Sequence, residues 1–160
     1  MAHLVYLGLG SNLGDRKKNL QEAREILAKT ERILQQSSLY QTAPWGYSEQ
    51  PEFINQVIAI DTELSPTHLL RLLKRIEKII GRKKTFRYGP RVIDLDILLY
   101  DHRIVHTKLL DIPHPKLIER AFVLVPLAEI APELVHPGNG KTIRQLMEAL
   151  EDIESVKKCV

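Results

Sequence analysis

The stretch RYGPRVIDLDILLY, Arg87 to Tyr100, sets two carboxylates, Asp94 and Asp96, into an apolar, β-prone run. In a strand, side chains two residues apart share a face. Both aspartates therefore point one way while Ile93, Leu95 and Ile97 point the other. At the usual rise their Cα atoms stand roughly 6–7 Å apart. That spacing suits a pair of hard cations, which in two-metal sites lie roughly 4 Å from each other. Magnesium fits better than a transition metal, because no His or Cys lies close in the chain.

Most isolated D-x-D pairs are solvated acids, but this one follows GRKKTFRYGPR, which holds Arg82, Lys83, Lys84, Arg87 and Arg91 within ten residues. Alone, such a run is an exposed basic loop. Beside two acids it predicts a phosphate-bearing ligand, with carboxylates for metal, metal for phosphates, and Arg and Lys for the remaining charge. Arg87 and Arg91 are candidate phosphate contacts. Other candidates are weaker. His114, between prolines in IPHP, places an imidazole where it can meet a phosphate. Trp45, Tyr47 and Phe53 can cradle a flat ring, and Asn55 can read an amide-bearing heterocycle by complementary hydrogen bonds. Glu77 reads first as a surface helix position in an i,i+4 pair, and second as a polar contact to the site. The glycines from Gly8 to Gly14 miss the G-x-G-x-x-G spacing by one residue, so a structural turn is expected there.

These residues need elements to hold them. Leu4 to Leu9 reads as a buried strand, and Asp15 as the cap of a helix with Leu20, Ala23, Ile26, Leu27 and Ala28 on one side. Ile33 to Thr42 reads as a second strand. After APWGYSEQPEF, too long for a tight hairpin, Phe53 to Leu64 alternates as a third. SPTHLLRLLKRIEKIIG is the clearest helix, with Ser65 as N-cap, Pro66 in the first turn and Gly81 as the stop. The Val92 to Tyr100 strand follows, then a short return at Arg103 to Val105, helix over much of Leu117 to Ile130, and a last helix from Thr142 to Leu150. The order β-α-β-β-α-β predicts an α+β, ferredoxin-like antiparallel sheet. Two helices cover one face, and C-terminal helical additions give helices on both sides in α/β/α layers. That fold hosts many functions, so function must come from the site.

A length of 160 residues fits one domain spanning 1–160, and a net charge of +3 is modest. The start, MAHLVYLGLGSN, lacks the basic region of a signal peptide, no apolar run is long enough to span a bilayer, and the single cysteine, Cys159, excludes a disulfide framework. A cytoplasmic protein with no membrane partner is expected.

Taken together, GSN at Gly10–Asn12, TAPWG at Thr42–Gly46, QPEFIN at Gln50–Asn55, RIE at Arg75–Glu77, GPRVIDLDILLY at Gly89–Tyr100, and IPHP with RAF at Ile112–Phe122 resemble the 6-hydroxymethyl-7,8-dihydropterin pyrophosphokinase family of folate biosynthesis. The resemblance implies transfer of diphosphate from MgATP to the pterin hydroxymethyl group, with release of AMP. It implies two Mg²⁺ ions on Asp94 and Asp96, and catalytic roles for Arg82 and Arg91. ATP would be met by Glu77, Arg82, Lys84, Arg91, His114 and Arg120. The pterin would lie between Phe53 and Phe122, its edge read by Asn55 and by groups around Thr42, Ala43, Pro44 and Trp45, near Asp94. Three positions depart from the family pattern: Tyr88 replaces a common tryptophan, Lys84 an arginine with bidentate geometry, and Pro115 the tyrosine of some members. A monomer is expected, with a weak homodimer as the alternative.

Two rivals remain at this level. A ferredoxin-like nucleic-acid-binding module would show aromatics in an R-G-F-x-F-type strand, which is absent, so no nucleic-acid partner is expected. A non-catalytic pterin- or nucleotide-binding protein would have to account for intact metal carboxylates.

Overall fold

Residues 2–43, 51–81 and 91–159 are described by the computed structural model. In chain order come β1 (His3–Ser11), α1 (Arg16–Leu27), β2 (Arg32–Gln36), β3 (Tyr40–Thr42), β4 (Phe53–Thr62), α2 (Pro66–Ile80) and β5 (Asp94–Tyr100). β6 (Val105–His106) and β7 (Asp111–Ile112) form a separate small hairpin. α3 (Ala121–Ile130), α4 (Ile143–Glu148) and β8 (Lys157–Lys158) follow.

Helix ends obey local chemistry. The Asp15 carboxylate accepts from the Lys18 N–H, and Ser65 Oγ accepts from the His68 N–H ahead of Pro66. Gly81 closes α2 at φ 104°, a left-handed conformation that side chains disfavour. Thr142 and Gln145 form a reciprocal capping box at α4.

The main sheet runs β5-β1-β4-β3-β8, with β2 also paired to β4. Its pairings are antiparallel. The single strand expected from Ile33 to Thr42 is two strands. The reason is Ser37, whose Oγ accepts the Val57 N–H at 3.0 Å while its own N–H donates to the Val57 carbonyl at 2.8 Å. A hydroxyl thus replaces a backbone acceptor, and the chain breaks between β2 and β3. The return expected at Arg103–Val105 falls slightly later, as β6. Leu117–Glu119 is a 3₁₀ turn distinct from α3.

Strand alternation divides the interior. Val5, Leu7, Leu9, Ile54, Ile58, Ile60, Leu95 and Ile97 pack with Leu20 and Leu27 of α1 and Leu69, Leu73 and Ile76 of α2. On the opposite face, Tyr6, Val57, Ala59, Leu98 and Leu99 pack with Leu124 and Leu127 of α3 and Ile143 and Leu146 of α4. Leu98 and Leu99 share a face because the β1–β5 register slips between Tyr6 and Leu7, a bulge that ends the alternation begun at Asp94. Among the described residues, no helix is long and apolar enough to cross a membrane.

Candidate active site

The register of three central strands builds the site floor. Gly10 pairs with Asp94 on one side and Asn55 on the other, and Asn55 pairs with Tyr40. Gly8 pairs with Asp96 and Val57. Cross-strand partners share a face, so Asp94–Gly10–Asn55 and Asp96–Gly8–Val57 form adjacent rows. The missing side chains at Gly8 and Gly10 leave a trough, with carboxylates along one bank and Asn55 on the other. The cleft above it measures about 290 Å³. Its walls include Thr42 and Ala43 at the end of β3, Phe53 of β4, Arg91, His114, Arg120 and Phe122.

Each bank is braced. Asn55 Nδ2 donates to Thr42 Oγ1 at 2.7 Å, fixing the carboxamide with its Oδ1 over Gly10. A Cβ on Gly10 would stand 2.8 Å from that oxygen, so any other residue forces the Asn55 carboxamide to move. The structural turn expected for Gly8 to Gly14 therefore applies only beyond β1; Gly8 and Gly10 are strand residues under the cleft. The signal for this is two glycines at i,i+2, the first inside the strand expected from Leu4 to Leu9 and the second just past its end. On the other bank, the Leu95 N–H between the two aspartates donates to Glu77 Oε2 at 2.8 Å. Glu77 is 2% exposed and also takes a bond from Lys74 Nζ at 3.3 Å, which corrects its surface reading. It lies four residues after Leu73, in the apolar stripe of α2. A carboxylate there was the overlooked clue.

Asn12 closes the GSN motif, from which no role for it follows by sequence. Buried beside the cleft, it accepts the Arg91 N–H on Oδ1 at 2.7 Å, donates its own N–H to the Arg91 carbonyl at 2.9 Å, and donates Nδ2–H to the Pro51 carbonyl at 3.0 Å. It therefore fixes the backbone of Arg91 at the cleft's rim.

Electrostatics follow from these positions. Burial pushes Asp96 up to about 7, and the neighbouring Asp94 charge adds to the shift, while Lys74 and Arg120 oppose it. Burial and then Arg120 lower His114 to about 4, against the pull of Asp94. His114 is thus neutral, and its Nδ1 accepts the Lys116 N–H at 3.1 Å, leaving Nε2 to carry the proton as a donor. Its own N–H donates to the Leu98 carbonyl at 3.0 Å, and the preceding Ile112–Pro113 peptide is cis. The Arg120 guanidinium lies 5.4 Å from the Phe122 ring centroid.

The cleft thus brings together Thr42, Ala43, Phe53, Asn55, Arg91, Asp94, Asp96, His114, Arg120 and Phe122 from distant parts of the chain. Glu77 stands behind the carboxylate strand. Pro44, Trp45, Tyr47, Arg82, Lys84, Arg87 and Tyr88 lie outside the described residues.

An antiparallel α+β fold with paired acids, cationic rim groups and an aromatic-walled slot defines a small-molecule site suited to an anionic ligand bearing a flat ring. Residues 6–132 match the family described as 7,8-dihydro-6-hydroxymethylpterin-pyrophosphokinase, and the chain belongs to that family. It is 49% identical over 149 residues to the 2-amino-4-hydroxy-6-hydroxymethyldihydropteridine pyrophosphokinase of Methylorubrum extorquens, covering 92% of this chain and 93% of the relative. The Aquifex aeolicus protein of the same name is 45% identical over 141 residues, 88% of each chain. Among solved structures, wild-type HPPK-DHPS of Plasmodium falciparum with pteroate superposes with a TM-score of 0.77 at 17% identity. That match covers 99% of this chain but 46% of the other, and supports the fold.

Proposed function

We propose that the chain transfers diphosphate from ATP to the hydroxymethyl group of 6-hydroxymethyl-7,8-dihydropterin, yielding the pterin diphosphate and AMP for folate synthesis. The observation that carries this reading is the pair of adjacent rows, Asp94–Gly10–Asn55 and Asp96–Gly8–Val57, that puts two carboxylates on one bank of a glycine trough and a carboxamide on the other. One bank suits a cation-bound polyphosphate, the other the amide edge of a pterin.

The donor set fits Mg²⁺. Two carboxylates on one face, with substrate phosphates and water completing the shell, is how this ion is commonly held. Among the described residues no cluster of three or more His, Cys, Asp or Glu exists, as zinc would require. The raised Asp96 is a carboxyl that a cation would relieve. Asp94 and Asp96 would hold two Mg²⁺ ions, which would supply positive charge against that developing on the substrate phosphates.

The remaining roles belong to the chain's own groups. Arg91, Arg120 and the Nε2–H of His114 bind phosphate oxygens, and Arg82 and Lys84 are assigned to the same task. Glu77 holds β5 by its backbone and so sets the direction of both aspartates. Phe53 and Phe122 take the pterin faces, while Asn55, Thr42 and Ala43, with Pro44 and Trp45, read its edge. The hydroxyl oxygen attacks the β-phosphorus, and the bond from that phosphorus to the AMP oxygen breaks. With Asp94 and Asp96 assigned to the cations, no side chain is assigned as general base; the hydroxyl proton passes to water, and in-line positioning and electrostatics carry the acceleration.

We further assign the fold to ferredoxin-like α/β/α layering in a single domain, 1–160. The strand order and the two separate cores support it. α3 and α4 cover part of the second sheet face, and the described cleft on the rest of it holds Asp94 and Asp96, whose charges would repel a phosphate backbone, which favours the enzyme over a nucleic-acid module. A cytoplasmic monomer is our working assignment. Incubation with MgATP and the reduced pterin, followed by nucleotide chromatography, tests the function. AMP formed only with pterin supports it; ADP, or no pterin-dependent turnover, refutes it.

A further inference from the structure

Where β2 gives way to β3, the chain faces the last turn of α3. There the Glu129 carboxylate accepts three hydrogen bonds: from Tyr40 Oη at 2.6 Å, Ser38 Oγ at 2.8 Å and the Ser38 N–H at 3.0 Å. Burial opposes ionisation of Glu129, yet the Tyr40 and Ser38 bonds, with the Lys158 charge, hold it below the usual carboxylate range. Burial, then Glu129 itself, raises the Tyr40 phenol. The pair is a carboxylate and a neutral phenol donor.

The elements joined by these bonds are the two walls of the ring slot. Tyr40 pairs with Asn55, and Thr42, two residues on, pairs with Phe53 and accepts from Asn55. The Tyr40 ring is buried against Ala121 and Val156, and Phe122 packs on the same cluster. Glu129 stands about two helical turns beyond Phe122 on α3. One carboxylate therefore ties the helix that bears Phe122 to the strand that bears Thr42.

We propose that Glu129 is a positioning residue for the pterin: through Tyr40 and Ser38 it fixes the separation between the Phe122 wall and the β3–β4 wall of the slot. The inference rests on the pterin reading of the cleft. Glu129 is exposed as a residue, but its bond to the buried Tyr40 is part-buried, so losing it also costs some stability, which the folding check controls. Its effect belongs to slot geometry, and the β5 carboxylates lie across the trough on an element it does not touch.

The test is steady-state kinetics on Glu129→Gln, Tyr40→Phe and Ser38→Ala, with both substrates varied and folding checked by circular dichroism. Tyr40→Phe deletes one hydrogen bond to a charged group and predicts a pterin KM about tenfold higher, while Glu129→Gln keeps an acceptor but loses the charge and the Ser38 Oγ acceptor, and predicts a smaller rise. The ATP KM and the kcat at saturating pterin should stay within about threefold, since uniform binding of one substrate is what is lost. The double variant Glu129→Gln/Tyr40→Phe should raise the pterin KM by less than the product of the two single effects, because both weaken the one Tyr40–Glu129 bond. If Glu129→Gln fails to fold, Ser38→Ala decides, with a smaller rise in pterin KM expected. An unchanged pterin KM in folded variants overturns the inference, as does an equal rise in both KM values. Wild-type protein that forms no pterin-dependent AMP would refute the functional reading itself; active wild type with insensitive variants refutes the clamp alone.

Discussion

Replacing Gly10 by alanine separates ring recognition from phosphate chemistry. The added Cβ would lie 2.8 Å from Asn55 Oδ1 and 3.5 Å from Phe53 Cδ1. Ordinary contact begins near 3.4 Å, so the Asn55 carboxamide must retreat by roughly half an ångström or rotate. Either movement strains its 2.7 Å bond to Thr42 Oγ1, in a buried setting where an unmade hydrogen bond costs about 1–3 kcal/mol. The same carboxamide is the proposed reader of the pterin edge, so the loss falls on pterin affinity, weakening it about 10–100-fold. Asp94, on the opposite bank, keeps its strand pairing, and nucleotide affinity should change less than about threefold. Fluorescence titration of the reduced pterin, beside nucleotide titration and a urea melt, gives all three quantities. Gly8→Ala is the internal comparison, since the nearest atom to its Cβ is Leu98 Cδ2 at 3.4 Å, an ordinary contact, and it should lose less. A folded Gly10→Ala protein that binds pterin like wild type would refute the placing of Asn55 at the slot floor.

Asp96→Asn should abolish AMP formation while raising the melting temperature of the ligand-free protein at pH 8. The folded-state carboxyl is raised to about 7, from 3.8, so its ionisation erodes stability as pH climbs through that window, and the amide removes the loss. Glu77→Ala should cost about 1–3 kcal/mol by stranding the Leu95 N–H, and amide exchange at Leu95 should accelerate in step; unchanged exchange would remove Glu77 from the support of β5. His114 has the opposite sign to Asp96. Its folded value, about 4, lies below the ordinary 6.5, so the unfolded chain takes up the proton first and stability falls as pH drops from 6.5 to 4. Urea melts of wild type and His114→Asn across that range should show a shallower slope in the variant.

The aspartate strand was legible because period-two alternation is strict from Ile93 to Ile97. Packing confirms that face assignment, with Ile93, Leu95 and Ile97 in one core. Alternation ceases to inform at Leu98, where a bulge set by β1 turns two successive leucines to the same side. Ser65, Pro66 and Gly81 marked α2 correctly because capping chemistry is local. The break at Ser37 was not legible, since it depends on a hydroxyl meeting Val57, twenty residues on in the chain. Glu77 and Gly10 share that cause. Each answers to a partner on another element, Leu95 or Asn55; the paired glycines and a carboxylate in the apolar stripe of α2 mark both positions as unusual, but nothing within one segment names the partner.

The most direct test of the central claim follows the phosphorus atoms. ATP radiolabelled at the β-phosphorus, or in a parallel reaction at the α-phosphorus, is incubated with the protein, Mg²⁺ and 6-hydroxymethyl-7,8-dihydropterin, and the pterin product is isolated. Attack at the β-phosphorus predicts that the β label enters the pterin product and the α label remains in AMP. A pterin product without β label, accompanied by labelled ADP, would contradict the account.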